Sequence, residues 1–100
     1  MSEKLRILFE QNLKNIIESK NYSECISLLN KKIIEIFSYK MNKVQKGFKY
    51  TSLDLLLESA KGNLSEKDLF SLELYYQAVR KNLSEEFRLY KLLEIYKNIK

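Results

Sequence analysis

An all-α fold, an up-and-down four-helix bundle with an additional short helix, is what this 100-residue sequence predicts. Three observations carry that expectation. Proline is absent and glycine occurs only as Gly47 and Gly62, so few sites break a helix or admit a left-handed turn. Apolar residues recur at steps of three and four through most of the chain. No segment alternates apolar and polar residues for long enough to compete as a strand.

The first element is a helix from about Ser2 to Lys20, because Leu5, Leu8, Phe9, Leu13, Ile16 and Ile17 fall on one face at helical spacing. Asn21 then offers an N-cap, and Glu24 three positions on makes Asn21-Tyr22-Ser23-Glu24 a variant of the capping box. The helix it opens carries the stripe Tyr22, Cys25, Ile26, Leu29, Ile33, Ile36 and Phe37, widened by Leu28 and Ile34 and extending through Met41 toward Val44. This is expected to be the most buried helix. Periodicity is lost from Asn42 to Tyr50, which reads as a loop, and Thr51-Ser52-Leu53-Asp54 is a further helix-start signature. A short third helix follows, with Leu53, Leu56, Leu57 and Ala60 on its apolar side and Gly62 as its C-terminal cap. Ser65-Glu66-Lys67-Asp68 caps a fourth helix. Its apolar surface is broad, with Leu69, Leu72, Tyr76 and Val79 on one face and Phe70, Leu74 and Ala78 on the next, so it is expected to contact two neighbours. Ser84-Glu85-Glu86 begins the last helix, with Leu89, Leu92, Leu93, Tyr96 and Ile99 inward and Phe87 and Tyr90 nearby.

The length, and the absence of any division into two halves that could each bury a core, argue for a single domain over residues 1–100. The start MSEKLRILFEQ is interrupted by Lys4, Arg6 and Glu10 and lacks a secretory apolar core, and no later run is long enough to span a bilayer. A single cysteine, Cys25, cannot form an internal disulfide and reads as a small buried hydrophobe. A cytoplasmic protein without membrane partners is the expectation. Its net charge of +5 is concentrated: residues 31–50 hold Lys31, Lys32, Lys40, Lys43, Lys46 and Lys49 against the one acid Glu35, while the flanking segments balance. A lysine-rich stretch of this kind either contacts an anionic partner or is a solvated helix end that complements the macrodipole.

The side-chain inventory argues against ordinary catalysis. With no histidine and one cysteine, His-dependent triads, Cys-His dyads and tetrahedral zinc sites cannot be assembled from one chain. Neither glycine lies in a phosphate-binding turn, and the carboxylate pairs Glu66/Asp68 and Glu85/Glu86 sit at helix starts, where acids complement the dipole. The expectation is a non-enzyme with no cofactor and no metal. Tyrosine is frequent, at positions 22, 39, 50, 75, 76, 90 and 96, and such rings serve bundle cores, protein interfaces or base stacking. Tyr75 and Tyr76 are about 100° apart on a helix and cannot share one core face, which leaves one of them for a contact with another chain.

The order of these features resembles the HEPN superfamily, small helical bundles found with nucleotidyltransferases, in toxin–antitoxin pairs and in RNA-cleaving defence proteins. The resemblance rests on the helix pair joined at Asn21-Tyr22-Ser23, on Tyr50-Thr51-Ser52-Leu53 opening a short helix, and on Leu74-Tyr75-Tyr76-Gln77-Ala78-Val79-Arg80. Catalytically active members follow an arginine, after a short interval, with a histidine, and a dimer brings two such motifs together on RNA. Arg80 matches the arginine, but the histidine positions hold Glu85, Glu86 and Phe87, and Thr51-Ser52-Leu53 lacks the histidine of the family's Thr-His-Ser-Leu. Glutamate, deprotonated at neutral pH, repels a phosphodiester and is a poor replacement.

The resemblance therefore implies a degenerate, non-catalytic member that forms a homodimer through the helix bearing Arg80 and binds a protein partner such as a nucleotidyltransferase, with Tyr75, Tyr76, Arg80, Lys81 and Glu85 at the interface or in the degenerate motif. The alternative expectation is nucleic-acid binding through Lys40, Lys43, Lys46 and Lys49 with the neighbouring Tyr39 and Tyr50.

Overall fold

The computed structural model describes residues 3–42 and 53–100. Five helices and no strand occur among them: α1 (Glu3–Glu18), α2 (Tyr22–Asn42), α3 (Leu53–Ala60), α4 (Glu66–Arg80) and α5 (Glu85–Ile99). Asn42, expected to open the loop that runs to Tyr50, is instead the last residue of α2; the rest of that loop, the extension to Val44 and the Thr51-Ser52 helix start lie outside the described residues.

Local chemistry sets most of the helix ends. Lys20 adopts a left-handed conformation (φ 61°), and the amides of Lys20 and Asn21 turn back to the carbonyls of Ile17 and Ile16, closing α1 in a Schellman arrangement on a residue other than glycine. Asn21 then changes role: its Oδ1 accepts the Glu24 amide at 3.3 Å while its Nδ2 donates to the Glu24 carboxylate at 2.9 Å, starting α2 with no linker. Gly62 (φ 83°) ends α3, with Asn63 and Leu64 donating to the Ala60 carbonyl. The Ser65 and Ser84 hydroxyls accept the amides of Asp68 and Phe87 at 3.2 and 3.3 Å, capping α4 and α5.

Packing centres on α2 and α5, whose contact is the most extensive in the molecule. On α2, Cys25, Leu29, Ile33, Phe37 and Met41 are fully buried at intervals of four residues; on α5, Leu89, Leu92, Ile95, Tyr96 and Ile99 supply the buried face. Each such apolar side chain contributes about 1.5–3 kcal/mol of burial. Burial, with a smaller contribution from Glu24, raises the Cys25 thiol above its ordinary pKa, in keeping with an inert apolar role. α1 lies against α2 and α5 on one side and α4 against α5 on the other, with α3 on α4. Lys40 near the end of α2 reaches Asp68 at the start of α4, and Lys100 at the end of α5 reaches Glu10 in α1. α1 and α4 thus run opposite to α2 and α5, the up-and-down arrangement expected, with α3 inserted before α4.

Two faces differ from expectation. α1 buries Leu13 and Ile16, but Leu5 and Leu8 are exposed, because α1's apolar stripe extends beyond the surface its neighbours cover. α4 is rotated from the predicted orientation: Ser71, Leu72, Tyr75 and Ala78 face inward, Tyr76 is partly exposed and Val79 exposed. Tyr75 is 2% exposed and its hydroxyl donates to Asn30 Oδ1 at 3.0 Å, so it belongs to the core and cannot supply the surface contact expected of it. With the hydroxyl partnered by Asn30 on α2, the ring can be buried without an unpaired polar atom.

Candidate functional site

Arg80 sits in the last turn of α4 and faces α3 rather than solvent alone. Its Nη2 donates to both carboxylate oxygens of Asp54, at 3.1 Å to Oδ1 and 2.8 Å to Oδ2, and the guanidinium carbon lies 4.8 Å from the centroid of the Tyr76 ring. The Tyr76 hydroxyl donates to the same Asp54 Oδ1 at 2.5 Å. That hydrogen bond to a carboxylate holds the Tyr76 phenol above its ordinary pKa, with Arg80 opposing. One turn of α4 therefore presents a ring and a cation to a carboxylate in the first turn of α3, where an acid also complements the helix dipole. The arrangement is a clamp between α3 and α4, and it engages both the acid and the base it contains.

Lys81 and Glu85, the other motif residues, stand on the α4–α5 turn. Lys81 caps α4 through its amide, and its carbonyl accepts Arg88 Nη2 at 2.9 Å. Glu85 lies exposed in the first turn of α5. Beside this turn a groove of about 270 Å³ runs between α4 and α5, floored by Leu74, Ala78, Leu83 and Ile95 and rimmed by Lys81, Lys91 and Glu94. Phe87, 50% exposed, forms one end, with Lys91 Nζ 5.5 Å from its ring centroid. Phe70 stands one turn before Leu74 on α4 and is 61% exposed; Tyr90, one turn after Phe87, is 62% exposed. Phe87 alone of these three rings lines the groove; Phe70 and Tyr90 are exposed on α4 and α5 outside it.

Of the residues expected to bind nucleic acid, Tyr39 and Lys40 are described, and Lys43, Lys46, Lys49 and Tyr50 lie outside the described residues. Tyr39 is exposed, whereas Lys40 is partly buried in its ion pair with Asp68 at 2.8 Å, which ties α2 to α4. Lys40 thus has a structural partner, which the sequence does not reveal because the two residues are far apart in the chain. Among the described residues, no cluster of three or more acidic, histidine or cysteine side chains could hold a metal ion, and no helix is long and apolar enough to cross a membrane.

Sequence reasoning identified Arg80 and Tyr76 but not Asp54, which read only as a helix-start acid. Phe70 reads as part of the second of two apolar faces of α4; Glu73 and Gln77, three and seven positions after it, mark that side of the helix as outward. Comparison with protein-family models, with characterised proteins and with solved structures finds no match to this chain.

Proposed function

We propose that this protein is a non-catalytic interaction module of HEPN-like type, acting in the cytoplasm as a homodimer that joins through the α4–α5 face and binds a protein partner such as a nucleotidyltransferase. The observation that carries the reading is the exposure of Phe87 at one end of an apolar groove between α4 and α5, with Phe70 on α4 and Tyr90 on α5 also more than half exposed. Aromatic side chains are enriched at interface centres because they bury much area with few rotatable bonds. Each of these rings exposes roughly 100–150 Å², against the ~800 Å² that each side of a standard interface contributes. The rim also suits a twofold-related copy: it carries both signs, so Lys91 of one copy can face Glu94 of the other. The pairing of Arg80 with Asp54 and the acid at position 85 support a binding role over RNA cleavage.

Sedimentation at tens of micromolar protein tests the proposal. A dimer is expected, converted to monomer by Phe70→Lys and by Phe87→Lys with unchanged thermal melting. A monomer throughout that range overturns it. A second reading, nucleic-acid binding, is favoured by one feature: Lys43, Lys46 and Lys49, within the basic segment 31–50, supply more than half of the net charge of +5. Such binding should weaken steeply with salt and on neutralising those lysines; indifference to both excludes it.

A further inference from the structure

We propose that a second groove, enclosed by α1, α2 and the end of α5, receives an amphipathic helical segment of another protein whose apolar stripe is flanked by acidic residues. The surface lies across α5 from the α4–α5 face and does not depend on self-association there.

The apolar stripe of α1 is longer than its covered length, leaving Leu5 60% and Leu8 54% exposed one turn apart. Beside Leu5 opens a groove of about 500 Å³, lined by Ile36 and Tyr39 of α2 and Ile99 of α5. Ile36 and Tyr39, one turn apart on α2, form one apolar wall of the groove, and Leu5 of α1 and Ile99 of α5 the facing side. A helix presenting apolar residues at intervals of three and four matches that spacing and can lie between them.

Charge selects the occupant. Lys32, Lys40 and Lys100 line the groove against one carboxylate, Glu35. Lys40 is paired with Asp68 at 2.8 Å and Lys100 with Glu10 at 2.5 Å, but neither acid lines the groove; Lys32 meets Glu35 only at 3.9 Å. An ammonium group carries three donors, so each lysine keeps capacity for a further carboxylate. A second copy of this chain would set three ammonium groups against three others, and a basic segment would meet the same repulsion. An acidic flank is the complementary choice.

The probe is a synthetic fourteen-residue peptide with leucine at helical spacing and glutamate on both flanks, compared with its lysine-flanked counterpart by fluorescence anisotropy and amide chemical-shift mapping on the full chain. The glutamate peptide should bind at least about tenfold more tightly, weaken as salt rises, and shift the amides of Leu5, Ile36 and Ile99. Leu5→Ser should weaken it several-fold with unchanged melting, while Phe87→Lys leaves it intact even where self-association is lost. Equal binding of the two peptides, no binding at millimolar peptide, shifts confined to other surfaces, or concentration-dependent shifts at these residues without peptide each overturn the proposal.

Discussion

Replacing Tyr75 with alanine removes a ring that is almost completely enclosed between α4 and the α2–α5 pair, along with a hydroxyl bonded to Asn30 at 3.0 Å. Truncation of a buried large aromatic costs about 3–5 kcal/mol, from lost transfer free energy and the cavity left behind. Asn30 also loses a partner in a partly buried setting, which keeps the figure near the upper end. Against a total stability of roughly 5–15 kcal/mol for a domain, that is a large fraction; with a urea m-value of about 1–3 kcal/mol/M the unfolding midpoint should fall by around 2 M. The same substitution at Tyr76 removes only an outward ring stacked under Arg80 and a solvent-facing hydrogen bond, so its midpoint should move far less. Urea titration followed by the helical circular dichroism signal measures both. Tyr75→Phe separates the contributions, retaining the ring and losing only the hydroxyl for about 1 kcal/mol. Equal effects at the two tyrosines, or a larger one at Tyr76, would refute the orientation assigned to α4.

Alkaline pH should act through the same residue: burial pushes the Tyr75 hydroxyl up to about 12, so the neutral phenol is favoured in the fold. This contribution is complete below the unfolded value near 10 and is lost as pH rises toward about 12, on the order of 2 kcal/mol; urea midpoints across that window should fall in the native chain and fall less in Tyr75→Phe. Lys20→Gly should stabilise by about 0.5–1 kcal/mol by relieving a left-handed lysine, whereas Gly62→Ala should destabilise by about 1 kcal/mol even though no atom lies within 4 Å of the added methyl, because the strain is in the backbone; thermal melts of the two variants should move in opposite directions. Ser65→Ala and Ser84→Ala should each cost about 1 kcal/mol by chemical denaturation, with additive effects in the double variant because the two caps share no partner. A double-mutant cycle on Asp54 and Arg80 should give a coupling below about 1 kcal/mol that shrinks with salt, since both side chains are more than half exposed.

The sequence by itself determined the helices, their order and most of their ends, because those features depend on neighbours a few positions away. Asn21, Ser65 and Ser84 each have an amide within reach three residues on, and Gly62 needs no partner to turn left-handed. The core face of α2 was equally legible, since Cys25, Ile26, Leu29, Ile33 and Phe37 of its predicted stripe are all buried, although Ile34, read as widening it, is exposed. Orientation was undetermined where the apolar arc is wide: on α4, Leu69, Leu72, Tyr76 and Val79 compete with Leu72, Tyr75 and Ala78, and only the hydrogen bond from Tyr75 to Asn30 and the packing of α5 show which set turns inward. The reach of α1's cover was likewise invisible, because amphipathicity records that a face is apolar and not how much of it a neighbour spans. Asp54 with Arg80, Lys40 with Asp68 and Lys100 with Glu10 are separated by long stretches of chain, so tertiary structure alone decided which charges hold the bundle together and which surfaces remain open to other molecules. The physical reason is one of range: caps and periodicity are short-range properties of the chain, whereas burial and ion pairing depend on which helices meet in space.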